Sequence, residues 1–222
     1  MWIDKEVKKS HLISPWGVGA IVPFPNNESV MICGLNMWQY SDESEFVIEE
    51  PRLTERLGVK KLLEPPEYRE SRGNKTNIAL NIPGIRFPRW HYCPYCGTME
   101  YLSYTDPVHR CIGNVRKNGK PCLGKSILIP ERFVVICPEG HIDDFPIAEW
   151  IHHGSEHKYD VTTCKIRRST GGTSTSLSGV YYECTCGAKR SMYGAFNEGA
   201  LKSIGYECKG IQPWLGIDKK KR

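Results

Sequence analysis

Cys93-Pro-Tyr-Cys96-Gly97, CPYCG, is the stretch on which the reading of this chain turns. Two thiols two residues apart can close on one divalent ion at bond lengths of about 2.3 Å, and glycine after the second lets the backbone turn around the sulfur. A redox dithiol of the same spacing ordinarily opens a helix in a thioredoxin-like unit. Here the pair runs into TMEYLSY, residues 98–104, which carries no helical pattern, so metal is the favoured reading. The next thiols are Cys111 and Cys122, separated by the loop-like IGNVRKNGKP, which can fold back as a ribbon. Together the four predict a Cys₄ structural zinc, with His91 and His109 near enough in sequence to replace one cysteine.

A second constellation lies downstream. Cys184-Thr-Cys186-Gly187 repeats the pair-then-glycine pattern at a tighter spacing and forms its nucleus. Cys208, ahead of Lys-Gly, is expected to join. The fourth ligand is Cys164, Cys137 or His141, with Cys164 favoured. Two Zn²⁺ ions are therefore expected, each supplying on the order of 10 kcal/mol of apparent folding free energy. Cys33 sits in an apolar run and reads as a core thiol.

Ten cysteines in 222 residues need a compartment. The opening MWIDKEVKKS is charged and has no apolar stretch behind it, so no signal peptide is expected. No apolar run approaches the roughly 18 residues of a membrane helix. The chain reads as soluble and cytoplasmic, where clustered cysteines bind metal rather than pair as disulfides. Net charge is +5, unevenly spread: residues 1–85 carry −2 and residues 86–222 carry +7. The basic side is the cysteine-rich side, a tilt compatible with nucleic-acid contact and equally with a solvated basic face.

The pattern predicts an α+β fold: β-rich, zinc-stabilised domains with short helices. A β-rich region is expected over 1–84, a first zinc-ribbon-like module over 85–136, and a second zinc-binding module with a basic tail over 137–222. Short strand-like runs occur at 18–22 and in ESVMICGL, with Gly17 and Gly19 serving a tight turn rather than a phosphate. Pro51 opens a helix over PRLTERLGV. Residues 65–84, with two prolines and ESRGNKTN, read as a linker. SILIPERFVVIC reads as strand, loop, strand, and VYYECTCG as a strand ending in a metal-binding turn. STGGTSTSLSG and the terminal KKKR read as a flexible loop and a disordered tail.

CPEGHIDDF, residues 137–145, admits two readings. In one, His141, Asp143 and Asp144 hold a metal that activates water for hydrolysis, with His152, His153 and His157 as helpers. In the other, Cys137 and His141 end a strand and ligate or support zinc, and Asp143 or Asp144 caps the helix FPIAEWIHHG. His152 and His153 then fall at the helix C-terminus, where positive charge is favourable, and Gly154 ends it. The structural reading explains each residue and is preferred. The sequence contains no nucleophile elbow, P-loop or dinucleotide fingerprint.

SHLISPWGVGAIVPFP, PRLTERLGV, RFPRWHYCPYCG, RFVVICPEGHIDDFPIAEWIHH and CKGIQPWLG occur in that order, over residues 8–216. In this the chain resembles the N-terminal part of the DrmB family, core subunits of the DISARM anti-phage defence system. The resemblance implies a non-enzymatic zinc-binding accessory subunit that partners a superfamily-2 helicase and engages DNA. It places Cys93, Cys96, Cys137, His141, Asp143 and Asp144 on family motifs without giving them a catalytic role. Members of that family are longer, so the chain reads as a split gene product, a fragment or a reduced stand-alone homologue; in the first case a separate polypeptide supplying the missing C-terminal half is a further expected partner. Basic and aromatic groups on the cysteine-rich side are the candidate DNA contacts: Arg86, Arg89, Trp90, Lys165, Arg167, Arg168, Lys189 and Arg190. A purely protein–protein adaptor is the remaining alternative.

Overall fold

The computed structural model describes residues 8–40, 42–66, 81–107, 109–113, 116–117, 120–122, 124–171 and 176–216. Most of the 65–84 linker, the centre of the 169–179 loop and the KKKR tail lie outside the described residues. In the described residues no helix is long and apolar enough to cross a membrane.

Strands dominate, and they are short. β1 (Ile21–Phe24) and β2 (Glu28–Ile32) form an antiparallel hairpin pairing Ile21 with Met31 and Phe24 with Glu28. β3 (Val47–Ile48) is followed by α1 (Pro51–Leu57) and then by its own partner β4 (Leu62–Leu63). α1 starts where proline costs no hydrogen bond and stops at Gly58, whose φ of 64° is left-handed. β5 (Gly84–Arg86) returns to pair with β2, Val30 against Arg86, so the N-terminal sheet includes a strand from beyond the linker.

β6 (Trp90–Tyr92) leads into the CPYCG turn and out along β7 (Met99–Tyr101), its antiparallel partner. The IGNVRKNGKP segment folds back as the two-residue ribbon β8 (Arg116–Lys117) and β9 (Lys120–Pro121). β10 (Ile129–Pro130) pairs with the other edge of β6. β11 (Val134–Ile136) and β12 (Ile142–Asp144) form a hairpin whose tip is CPEGH. α2 (Ile147–His152) follows directly. β13 (Ile166–Thr170), β14 (Val180–Cys184) and β15 (Lys189–Ser191) make an antiparallel sheet, and α3 (Ala200–Ser203) is the last described α-helix.

Asp143 and Asp144 correct the capping expectation. Both lie within β12, opposite Val135 and Val134, and Pro146 is the N-cap of α2 with no side-chain capping bond. Hairpin pairing claims the two carboxylate-bearing residues before the helix begins.

The main core forms between α2 and the β13–β15 sheet. Phe145, Ile147, Trp150, Ile151, Ile166, Tyr182 and Met192 are buried there. Each large apolar side chain so buried contributes about 1.5–3 kcal/mol. Trp150 anchors the layer: its Nε1 donates to Ser191 O at 2.9 Å, and the Arg190 guanidinium lies 3.6 Å from its ring centre. The sheet also joins the segment that carries the CPYCG turn. Thr98 bridges to Arg167, and the Arg168 Nε lies 2.9 Å from the Glu131 Oε2 in a buried ion pair. Near the C-terminus, Gly34 N donates to Trp214 O and Ile142 N to Ile211 O, at 2.6 and 3.0 Å, so the last described segment touches both the chain just after β2 and the β11–β12 hairpin.

Candidate metal centres

The first centre follows from one tight turn. Cys93 N donates to Thr98 O at 2.9 Å and Gly97 N to Cys93 O at 2.8 Å, which wraps the backbone around Cys93 and Cys96. Gly97 has a φ of 77°, and a Cβ there would stand 2.0 Å from Arg168 O, so both the turn and the passing strand require glycine. Cys111 and Cys122 approach from the β8–β9 ribbon. All four thiols are buried and their sulfurs lie within 4.8 Å of one another. The Cys93–Cys122 and Cys96–Cys111 Sγ separations are both 3.6 Å. A disulfide would need about 2.05 Å. The edge of a tetrahedron with about 2.3 Å metal–sulfur bonds is about 3.8 Å, so the spacing fits a shared ion. Burial pushes the Cys93 and Cys111 thiols up, a cost that a bound cation would offset. Burial acts in the same direction on Cys96, but the Thr98 hydroxyl at 3.2 Å and the Thr98 amide, with the neighbouring thiols, bring it down to about 7.

Neither nearby histidine joins. His109 pairs with Glu100 at 2.9 Å. His91 is buried, with Nδ1 2.9 Å from Arg89 O, and burial lowers its pKa to about 4. That keeps the ring neutral, so Nδ1 carries the proton toward the carbonyl and Nε2 faces Arg86 Nη1 at 3.5 Å.

The second centre is His152, Cys164, Cys184 and Cys186, again within 4.8 Å. Cys184 N donates to Ala188 O at 2.7 Å and Gly187 N to Cys184 O at 2.9 Å, the turn expected after VYYEC. Cys164 lies two residues before β13, the strand that pairs with β14. The fourth donor comes from α2: His152 Nε2 lies 3.3 Å from Cys186 Sγ and 3.9 Å from Cys164 Sγ. Its Nδ1 is 2.7 Å from Ala148 O, one helical turn back. A carbonyl only accepts, so Nδ1 carries the proton and Nε2 presents its lone pair to the thiols.

This arrangement corrects the expected grouping. Cys208 does not reach Cys184 and Cys186; it lies beside the tip of the β11–β12 hairpin, its Sγ 3.4 Å from His141 Nδ1. Cys137 Sγ is 3.2 Å from the same nitrogen, and Cys137, His141 and Cys208 form a third converging set. The chain after α3 is routed across the hairpin rather than back to the sheet, which is why Cys208 changes company. His152, read from sequence as a cation at a helix end, takes the vacated position. Its signal was there: His152 lies four residues after Ala148, on the inward face that also carries Ile151.

Asp143 and Asp144 do not converge with His141 in any group of donor atoms among the described residues. Asp144 Oδ1 accepts the Arg89 and Trp90 amides at 2.8 and 3.2 Å. Asp143 Oδ1 accepts the Asp144 amide, and its Oδ2 receives the Tyr206 hydroxyl and the Lys209 ammonium, both at 3.3 Å. Both carboxylates brace the hairpin.

The eight basic and aromatic candidates separate by environment. Arg86 is buried and its Nε donates to Asp106 O at 2.8 Å. Arg89 donates to Leu102 O and lies over Tyr101 and Tyr104, and Trp90 packs on Tyr101. Arg168 is paired with Glu131 and covers Tyr92, and Arg190 donates to Trp150 O. Lys165 and Lys189 are exposed and Arg167 is half-buried. Strand register puts Arg167, Glu183 and Lys189 side by side on one face of the sheet, with Tyr181 next along it.

The cysteine centres and the hairpin fall within a stretch that is matched elsewhere. The chain is 27% identical over 190 residues to the DISARM protein DrmB of Bacillus paralicheniformis, which covers 84% of this chain and 30% of that protein. The chain therefore spans less than a third of the length of that curated relative. The profile of DUF8724, a domain of unknown function, matches residues 8–222, and the chain belongs to that family.

Proposed function

We propose that this chain is a non-enzymatic, zinc-binding accessory subunit of a DISARM-type anti-phage defence complex, where it partners a superfamily-2 helicase and helps it hold DNA. The observation that carries the reading is the likeness to DISARM protein DrmB across most of the chain. The two four-donor centres suit structural Zn²⁺, because thiolate and imidazole donors in closed sets of four leave no open position for substrate. Zinc there would tie α2 to the β13–β15 sheet and the β8–β9 ribbon to the CPYCG turn.

The DNA contribution is assigned to the exposed face of the β13–β15 sheet. Lys165, Arg167 and Lys189 offer cations to phosphates, and Tyr181 offers a ring for a base. Glu183 sits between two of them, 3.8 Å from Arg167 Nη1 and 3.7 Å from Lys189 Nζ, and holds them in place at some cost in net charge.

The test is co-expression of the tagged chain with the helicase of its own locus. Co-purification, with salt-dependent DNA retention by the complex that exceeds the helicase alone, is the expected result. Co-purification with no DNA contribution would move the reading to a protein–protein adaptor. Absence of any helicase binding would remove it.

A further inference from the structure

We propose that Cys137, His141 and Cys208 form a third zinc site, with three ligands from this chain and a fourth position open to an outside donor. Three independent features point to it.

The first is the donor geometry. Both sulfurs lie near one imidazole nitrogen, at 3.2 and 3.4 Å from His141 Nδ1. A sulfur–nitrogen edge of about 3.6 Å is expected around zinc with bonds near 2.3 and 2.0 Å.

The second is the backbone. Cys137 N donates to His141 O at 3.1 Å and Gly140 N to Cys137 O at 3.0 Å. Cys184 makes the same two bonds, to the residue four ahead and from the residue three ahead. Gly140 and Gly187 occupy the same step of the two turns, both with positive φ. On the other arm, Gly210 N approaches Cys208 Sγ at 3.5 Å, as Gly113 N approaches Cys111 Sγ at 3.3 Å. An amide directed at sulfur favours the thiolate. The third set thus repeats local structure found in both four-donor centres.

The third feature is the space in front. Cys137, His141 and Cys208 line a cavity of about 190 Å³ whose other walls include Val135, Leu201 and Tyr206. No fourth Cys, His, Asp or Glu donor joins the set among the described residues. His141 Nε2 is buried without a hydrogen-bond partner, whereas His152 Nδ1 is anchored to Ala148 O. The ring is therefore less firmly oriented, and Cys208 is exposed. Two thiolates and an imidazole select zinc over magnesium or calcium. With an unanchored ring and an exposed thiolate, the ion should exchange faster than those in the closed centres. Water fills the fourth position by default, and a stronger nitrogen or sulfur donor displaces it.

The site would also clip the segment after α3 onto the hairpin tip, beside the Ile142 N to Ile211 O bond. It requires neither helicase nor DNA, so its failure would leave the proposed function standing.

The experiment uses the full chain, purified with zinc under reducing conditions and then exposed to Co²⁺. Three metals per chain are expected by native mass spectrometry, one exchanging readily for cobalt. Imidazole should shift the visible cobalt bands by replacing water. Cys208→Ser and, separately, Cys137→Ser should each lower the count by one and abolish cobalt uptake, leaving the other two ions bound. Equal metal counts in wild type and both variants would overturn the proposal. So would a cobalt spectrum indifferent to imidazole, or a Cys137–Cys208 disulfide seen as the loss of two hydrogens in intact mass.

Discussion

His152 holds its Nε2 3.3 Å from Cys186 Sγ while its Nδ1 is tied to Ala148 O at 2.7 Å. The helix thereby fixes both the tautomer and the aim of the ring before any ion arrives. Substituting His152 by Ala leaves three thiols facing an apolar gap. The variant is expected to lose metal to a chelator far faster than wild type and to melt at a lower temperature. His152→Cys restores a fourth soft donor and should recover most of the metal retention; equal loss from both variants would assign His152 to packing alone. Metal analysis after timed chelation, alongside thermal melts, reads the difference.

Gly97 and Gly187 occupy equivalent places after a cysteine pair, with φ of 77° and 97°. Their surroundings differ. A Cβ at Gly97 would meet Arg168 O at 2.0 Å, and one at Gly187 would meet nothing within 4 Å. Gly187→Ala should therefore cost only the left-handed penalty, about 1–2 kcal/mol. Gly97→Ala should cost clearly more, because the β13 backbone must also move. Chemical denaturation of the two variants gives the comparison directly.

Asp144 is 4 % exposed, and burial, with Asp143 beside it, raises its pKa to about 6 against the pull of the Arg89 and Trp90 amides. Its folded pKa lies above its ordinary value of 3.8, so the folded chain keeps the proton longer than the unfolded chain. The stability it contributes is full below about 4 and is lost as pH rises through about 6. Asp144→Asn keeps an Oδ1 acceptor for both amides and cannot ionise. Its melting temperature relative to wild type should rise between pH 4 and 6 and then level off, a window set by the same raised pKa. Asp144→Ala strands two amides and should cost about 1–3 kcal/mol for each left unsatisfied.

Lys165 and Lys189 are exposed, with no place in a metal centre or in the buried core. The double neutralisation Lys165→Gln with Lys189→Gln should leave metal content unchanged and the melt within about 0.5 kcal/mol of wild type for each site. DNA retention by the helicase complex should weaken, and its dependence on salt should become shallower, by a slope of about 0.9 for each phosphate no longer neutralised. Unchanged retention would place the DNA surface elsewhere.

Much of this was legible in sequence because cysteine spacing and glycine position are local signals. CPYCG, the folding-back of IGNVRKNGKP and the strand-then-turn of VYYECTCG needed no tertiary knowledge. Nor did the start of α1 at Pro51, although the expected helix ran on to Val59 and the left-handed Gly58 stops it at Leu57. What could not be read was which distant thiol closes which set. Cys208 follows α3, and its destination depends on the path of residues 204–212 across the β11–β12 hairpin, a long-range matter. His152 was hidden for the same reason: a histidine in the last turn of a helix satisfies the helix dipole equally well, and only the packing of α2 on the sheet turns it toward Cys186. The aspartates were misassigned because IDD can serve as the end of a strand or the start of a helix, and pairing with Val134 and Val135 decided it.

In the proposed arrangement the two closed centres hold zinc and the fold together. The most direct measurement is thermal unfolding of the chain in the presence of a chromophoric zinc chelator, with metal release and secondary structure followed in the same cuvette. Zinc from His152, Cys164, Cys184 and Cys186 and from Cys93, Cys96, Cys111 and Cys122 should appear together with the loss of structure, after any earlier release from the hairpin site. A chain that melts cooperatively without releasing zinc, or that gives up all its zinc with its structure intact, would contradict a structural role for the two centres.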